Sequence, residues 1–552
     1  METPRPTNSL VTALLTDLYQ ITMAYAHWKN NRHMDPAVFE LFFRKNPFGG
    51  EYTIFAGLDE CLKYLASFRF SAEDVDFLRS LPALKQCDEG FFEWLLALDA
   101  SQVKIYAMKD GTLAFPRVPL ITVEAPLAIG QLLETTLLTL VNYPSLIATN
   151  AARMVLAATD KHENKPGLPA QCYKDPVCVE FGLRRAQGPD GGFSASKYSA
   201  LGGFVGTSNV QAGKFIGLNV TGTHAHAFVQ SYASLDEVQE LTVASKDGAR
   251  VFNLLERVQE IRARLGERNS SYRTTNEGEL AAFVAYAVSF PDTFLCLIDT
   301  YDTLDSGLLN FVVVAIALYE LGYTPKGIRL DSGDLAYLSV RCARVFEELN
   351  AEYPFFEDLS IVASNDINEA VLAAINKQQH AITVYGIGTN LVTCQAQPAL
   401  GCVYKLVEID GRPRMKLSQD ISKVLIPGRK KPYRLIGKDG IPILDLMVSH
   451  DEAEPQPGER ILCRHPFVER KRAAVTPTEV VPLHALVFDN GRVIENRSLD
   501  EARAVVLEQL QRIRPDILRY VNPTPYKISV SESLFTFLHE LWQSETPVAE
   551  LS

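Results

Sequence analysis

Between residues 177 and 390 the sequence repeats one texture: a short apolar run that stops at a cluster of polar residues or glycine. VCVEF leads to GLRRAQG, LGGFV to GTSNVQAG and LNVTG to THAHAF. TFLCLI leads to DTYDT, GIRL to DSGD, LSIVA to SNDINE and AITVY to GIGTN. Amphipathic stretches fit between several of these runs, among them residues 307–321 and 336–350. Short apolar runs separated by helical crossovers predict a β/α barrel, with a doubly wound open sheet as the structural rival. Active sites of such barrels sit at the C-terminal ends of the strands, so the polar clusters are read as one site.

The flanks have a different pattern. Residues 1–149 read as an α+β segment. It holds an amphipathic helix over 14–28, a strand over 37–44, helices over 72–80 and 91–98, and two helices over 129–158 broken near Pro144. The barrel-like domain is expected over residues 150–401. From residue 402 the chain becomes β-rich: VEIDGRPRM and LVFDNGRVI carry Asp-Gly and Asn-Gly hairpin signals, and a helix follows over 499–513.

Charge and cysteine usage narrow the function classes. A net charge of −12 argues against a nucleic-acid or anionic-membrane partner, and the basic run GRKKPYR reads as a solvated loop. The nine cysteines form no CxxC or zinc spacing and read as reduced thiols. The N-terminus has no apolar signal region, and the apolar run LLNFVVVAIALY is short for a bilayer and contains Asn310, so it reads as a buried helix. The expected location is the cytosol.

The stretch GTHAHAF places His224 and His226 at one strand end. One reading is a hydrogen-bonded structural histidine. A second is the His-x-His of a metal-dependent hydrolase, which needs further histidines at later strand ends. His380 lies in a helical context, and the later histidines lie in the β-rich tail. The third reading is phosphate chemistry. The loop GIGTN offers small residues and free backbone N–H groups that can cradle a phosphate, and Arg184, Arg185 and Arg329 offer cationic forks. Asp299, Asp302, Asp331 and Asp334 suit Mg²⁺ or ribose hydroxyls, although Asp334 also fits a helix cap. Together these suggest a phosphorylated sugar as substrate.

The motifs LLTDLYQITMAYAH, FELFFRKNPFGGEYTIFAGL, EFGLRRAQGPDGG, GTHAHAFV, RLDSGDL and YGIGTNL resemble the nicotinate phosphoribosyltransferase family, from about residue 10 to about residue 531. The resemblance implies a type II phosphoribosyltransferase fold: an incomplete β/α barrel with an α+β domain formed by N- and C-terminal segments. It implies a homodimer with shared active sites. It also implies transfer of phosphoribosyl from 5-phosphoribosyl-1-pyrophosphate to nicotinate, coupled to ATP hydrolysis, as a step of NAD salvage. Mg²⁺ or Mn²⁺ is expected with the pyrophosphate, with Asp299 and Asp302 as possible ligands.

The resemblance also implies residue roles. His226 matches the histidine phosphorylated by ATP, and His224 fills a variable position. Asp331, with Asp299 nearby, is expected on ribose, and Gly388 and Thr389 on the 5′-phosphate. Arg44, Lys405 and Lys416 are expected on pyrophosphate. Tyr19 is expected to stack on the pyridine ring, with Phe181 on the opposite face. Arg184 and Arg329 are expected on the carboxylate, with Thr223 adding a hydroxyl. In the similar nicotinamide-using relative an Asp stands in the place of Ser208, and an Asp there would repel a carboxylate. The alternatives are a nicotinamide- or quinolinate-using enzyme and a non-catalytic metabolite sensor.

Overall fold

The computed structural model describes residues 4–160, 167–416 and 423–546. The chain divides into two compact units, one of residues 1–150 with 395–552 and one of residues 151–394.

The second unit is built on a six-stranded parallel sheet. Its order is Leu295–Leu297, Gly327–Leu330, Ser360–Ser364, Val384–Ile387, Val177–Glu180 and Gly206–Thr207. These are the expected runs, in an arc that does not close: an incomplete β/α barrel. Two expected strands shrink. LGGFV ends the helix Gly188–Leu201 and turns through Gly203, whose φ of 110° suits glycine, so only Gly206–Thr207 remains for pairing. LNVTG contributes a single parallel bridge, Thr207 with Val220, held by Thr207 N–H to Asn219 O and Thr221 N–H to Thr207 O.

The apolar run forms the helix Leu308–Glu320, and Leu308 through Leu318 are all buried. The segment Thr303–Glu320 has the length and composition of a membrane span, but 72% of it is buried inside the protein. Its entry is tight. A Cβ on Gly307 would lie 1.9 Å from the Ile298 carbonyl oxygen, so only glycine lets this helix start against the end of strand Leu295–Leu297.

The first unit joins both ends of the sequence in one seven-stranded sheet. Pro36–Phe43 pairs antiparallel with Cys402–Ile409 on one side and Ile121–Pro126 on the other. All but the first residue of Pro36–Phe43 are buried, which explains the poor alternation in its sequence. Both hairpin signals act as turns: Asp410 and Gly411 have φ of 52° and 68°, and Asn490 and Gly491 have φ of 51° and 72°. A second, six-stranded sheet comes wholly from the C-terminal segment, around Tyr433, Leu435, Leu444 and Leu446.

Two helix boundaries differ from expectation. The first helix runs Leu18–Lys29, because Leu15 and Thr16 N–H groups close local turns onto Thr12 and Leu14 carbonyls before it starts. Pro144 does not break its helix, which runs Glu134–Thr159 after a short helix Leu127–Leu132. Proline leaves the Leu140 carbonyl without its usual N–H partner. That oxygen faces Gly57, where a Cβ would lie 1.9 Å away, and Ser145 bonds the Ala56 backbone next to it in both directions.

Candidate active site

A cleft of about 380 Å³ opens over the C-terminal ends of the parallel strands. It brings together Phe181, Arg184, Ser208, Thr223, His226, Arg329 and Asp331.

Arg329 is the hub. Its Nε donates to Ser364 Oγ at 2.8 Å, Nη1 to Thr223 Oγ1 at 3.2 Å and Nη2 to Asp331 Oδ1 at 3.0 Å. One planar fork thus ties three strand ends, which a lysine cannot do. The guanidinium also lies 5.5 Å from the Phe181 ring centre. Burial works against a charge on Asp331. The Ser364 hydroxyl, Arg329 and His226 outweigh it and hold the carboxyl below its usual range.

His226 begins the helix His226–Gln230. Its Nδ1 meets Thr300 Oγ1 at 3.2 Å, and its Nε2 stands 3.6 Å from Asp331 Oδ2 and 4.0 Å from Asp299 Oδ1. Asp299 is almost wholly buried, at 1% side-chain exposure. Its Oδ2 accepts from the Asp331 N–H at 3.1 Å and from the Ser332 hydroxyl, while among the described residues its Oδ1 has no hydrogen-bond partner. Asp302 spends Oδ1 on the Leu304 and Asp305 N–H groups, and Asp334 accepts from the Tyr337 N–H as a helix cap. Among the described residues no group of three His, Cys, Asp or Glu side chains is arranged to hold a metal.

His224 has a different environment. It is buried among Phe228, Phe283 and Tyr286, and its Nε2 accepts from the Leu297 N–H at 3.4 Å. Burial pushes its pKa down to about 4. It is a neutral wall of the cleft.

Gly388 and Thr389 lie beside Phe181 rather than in the cleft lining. A Cβ on Gly388 would lie 3.2 Å from the Phe181 carbonyl oxygen, and one on Gly386 would lie 2.5 Å from the Phe181 ring. Tyr19, Arg44, Lys405 and Lys416 belong to the first unit. Tyr19 is 46% exposed on its helix. Burial lowers the Lys405 pKa, Glu134 opposes that, and Arg44 and Lys416 add like-charge repulsion. Those three cations form one cluster, the arrangement a polyanion needs.

Four residues of the site were not picked out from the sequence: Glu180, Thr300, Ser332 and Ser364. Glu180 is fully buried. Its carboxylate accepts from the Gly182 N–H, the Thr207 hydroxyl and Ser196 Oγ, the last at 2.9 Å, and its backbone carbonyl accepts from the Ser208 N–H at 2.9 Å. It therefore fixes Phe181 on one side and Ser208 on the other. The available signal was a carboxylate ending an otherwise apolar run.

Comparison with known proteins agrees along the whole chain. The family model for the nicotinate phosphoribosyltransferase N-terminal domain matches residues 14–142, the family model matches 177–440, and the C-terminal domain model matches 429–538. The nicotinate phosphoribosyltransferase of Dictyostelium discoideum is 51% identical, covering 99% of this chain and 91% of that protein. The Homo sapiens nicotinate phosphoribosyltransferase is 44% identical, covering 97% of each. The crystal structure of human nicotinic acid phosphoribosyltransferase superposes with a TM-score of 0.83 at 42% identity, covering 95% of this chain and 99% of that one. The nicotinate-nucleotide pyrophosphorylase structure from Pyrococcus furiosus shares the fold, with a TM-score of 0.59 at 19% identity. The chain belongs to the nicotinate phosphoribosyltransferase family.

Proposed function

We propose that the protein transfers the phosphoribosyl group of 5-phosphoribosyl-1-pyrophosphate to nicotinate. The products are nicotinate mononucleotide and pyrophosphate, as a step of NAD salvage, and the reaction is coupled to ATP through a phosphohistidine at His226. The observation that carries this reading is the cleft itself, where Arg184, Arg329, Thr223 and Ser208 face one space with His226 and Asp331.

The nicotinate carboxylate lies on the guanidinium groups of Arg184 and Arg329, with the Ser208 and Thr223 hydroxyls as further donors. The ring packs on Phe181, and Tyr19 of a second copy stacks on its other face. The pyridine nitrogen attacks ribose C1 as the bond from C1 to the pyrophosphate oxygen breaks. Positive charge develops on the sugar, and Asp331, held ionised by its neighbours, stabilises it while accepting from a ribose hydroxyl. Gly388 and Thr389 hold the 5′-phosphate, and the Arg44, Lys405 and Lys416 cluster of a second copy receives the departing pyrophosphate.

Asp299, whose Oδ1 has no hydrogen-bond partner among the described residues, would hold the Mg²⁺ or Mn²⁺ ion expected with the pyrophosphate. Such an ion would neutralise charge on the leaving group.

In the ATP step, the bond from the γ-phosphorus to ADP breaks and a bond to the imidazole forms. The test is incubation with γ-labelled ATP, followed by mapping of acid-labile phosphate. The expected result is label on His226, no label in His226→Ala, and retained label in His224→Ala. Label on His224, or none in the wild type, would refute the phosphohistidine. Slow synthesis of nicotinate mononucleotide without ATP should survive in His226→Ala, because the cleft still places both substrates.

A further inference from the structure

A buried carboxyl outside the cleft, Glu279, is tied to the loop that holds His226. Glu279 lies in the first turn of the helix Glu277–Ser289 and is fully buried. Its Oε2 accepts from Ser306 Oγ at 2.6 Å and from Asn310 Nδ2 at 3.0 Å. The same two side chains reach the Asn276 backbone: the Asn276 N–H donates to Ser306 Oγ at 3.0 Å, and Asn310 Nδ2 donates to the Asn276 carbonyl at 3.1 Å. Two helix starts are thereby pinned together.

Ser306 belongs to a π-helical turn, Thr303–Gly307, in the connection that follows strand Leu295–Leu297. Such turns are rare and concentrate at functional sites. This one is fixed at both ends. Asp302 caps it and accepts the Gly307 N–H on its carbonyl at 2.8 Å, and Gly307 presses on the Ile298 carbonyl. The residues just after Ile298 are Asp299 and Thr300, which face the His226 ring at 4.0 and 3.2 Å. A shift at Ser306 is therefore carried along this short connection to Thr300 and, through its hydrogen bond, to the imidazole.

Among the described residues no cation pairs with Glu279, and its Oε1 has no hydrogen-bond partner. A buried carboxyl without a cation is a costly tie where only packing is needed. Its partner Ser306 lies on the connection between two ring contacts of His226 and the following helix, which gives Glu279 another purpose.

We propose that Glu279 is a positioning residue for phosphoryl transfer to His226, holding the π turn so that Thr300 and Asp299 orient the imidazole. This rests on the reading that His226 is phosphorylated. The test is the rate of acid-labile phosphate incorporation from γ-labelled ATP in wild type, Glu279→Ala, Glu279→Gln, Thr300→Val and Glu279→Ala/Thr300→Val.

Glu279→Ala should slow phosphorylation by about tenfold or more, because a misplacement of a fraction of an ångström suffices. The KM for nicotinate should stay within about twofold, because Arg184 and Ser208 come from other strands. Glu279→Gln keeps an acceptor for Ser306 and Asn310 and should recover most of the rate. Adding Glu279→Ala to Thr300→Val should cost less than the two single losses combined, since part of the effect of Glu279 passes through the Thr300 contact with Nδ1. An unchanged rate in Glu279→Ala, equal losses in Ala and Gln, or fully additive losses would overturn the inference. If Glu279→Ala does not fold, Glu279→Asp, one methylene shorter, should show the same loss. If the wild type takes up no phosphate, the phosphohistidine reading fails separately. The same variants are then ranked by kcat for nicotinate mononucleotide synthesis, where positioning requires the same order and equal values refute it.

Discussion

Asp331 and Arg329 stand two residues apart at the end of one strand, and the Arg329 guanidinium meets the Asp331 carboxylate at 3.0 Å. Residues at that spacing share a face of an extended chain, so both enter the same cleft. The pair lets Arg329 fix the carboxylate beside His226 while keeping contacts to Thr223 and Ser364.

Arg329→Lys should therefore fail despite the retained charge. A single ammonium cannot meet three partners in different directions, and the lost charged hydrogen bonds are worth roughly 1.5–3 kcal/mol each. We expect kcat/KM for nicotinate to fall by about ten- to hundredfold. Steady-state kinetics at matched pH measure this. Wild-type kinetics in the lysine variant would mean that the fork has no role.

Ser208 tests base selection. It lines the cleft with Arg184 and Arg329, and its backbone is set by Glu180. Ser208→Asp adds a charge that repels a carboxylate, and the lost donor with the new repulsion should weaken nicotinate use roughly ten- to hundredfold. Use of 5-phosphoribosyl-1-pyrophosphate should change much less. Unaltered nicotinate kinetics would remove Ser208 from the account.

His224 predicts a pH effect on stability. Its folded pKa of about 4 lies below the ordinary histidine value. As pH falls through the window between them, the unfolded chain binds a proton that the folded chain does not, so folding weakens toward acid. Above the window both states are neutral and the effect vanishes. Relative to His224→Phe, which keeps an aromatic ring against Phe228 and Tyr286, the wild type should lose about 2 kcal/mol between pH 7 and pH 5. Denaturant melts at the two pH values read this directly. Parallel pH dependence in both proteins would show that the imidazole is not held neutral.

The chain's two ends and its middle were legible to different degrees. The runs ending in Phe181, Asp299, Asp331 and Gly388 showed the parallel strands, because strands buried on both faces are apolar without alternation. The runs at LGGFV and LNVTG looked the same, but Gly203 turns the backbone of the first and the second makes only the single bridge of Val220 to Thr207, and no local rule distinguishes either from a short strand. Pro144 misled because its freed carbonyl is accommodated by Gly57, far away in sequence. His226, Arg329 and Asp331 were legible by type. Glu180 and Glu279 were not, since a carboxylate in an apolar context becomes meaningful only when its hydroxyl partners are brought to it by folding.

Subunit sharing is tested by mixing. Tyr19 is exposed on a helix of the first unit, and we expect it to serve the cleft of a second copy. Tyr19→Ala and His226→Ala proteins, each weak alone, should partly complement after subunit exchange, because one site of a mixed dimer then lacks both lesions. No recovery despite exchange shown by tagged subunits would mean that each site is made within one chain.

The most direct measurement supplies 5-phosphoribosyl-1-pyrophosphate, Mg²⁺ and ATP with equal concentrations of nicotinate and nicotinamide, and separates the mononucleotides by mass. The paired guanidinium groups and the Ser208 hydroxyl predict nicotinate mononucleotide in large excess, with pyrophosphate released and ATP hydrolysed. Comparable amounts of nicotinamide mononucleotide, or no mononucleotide from either base, would contradict the account.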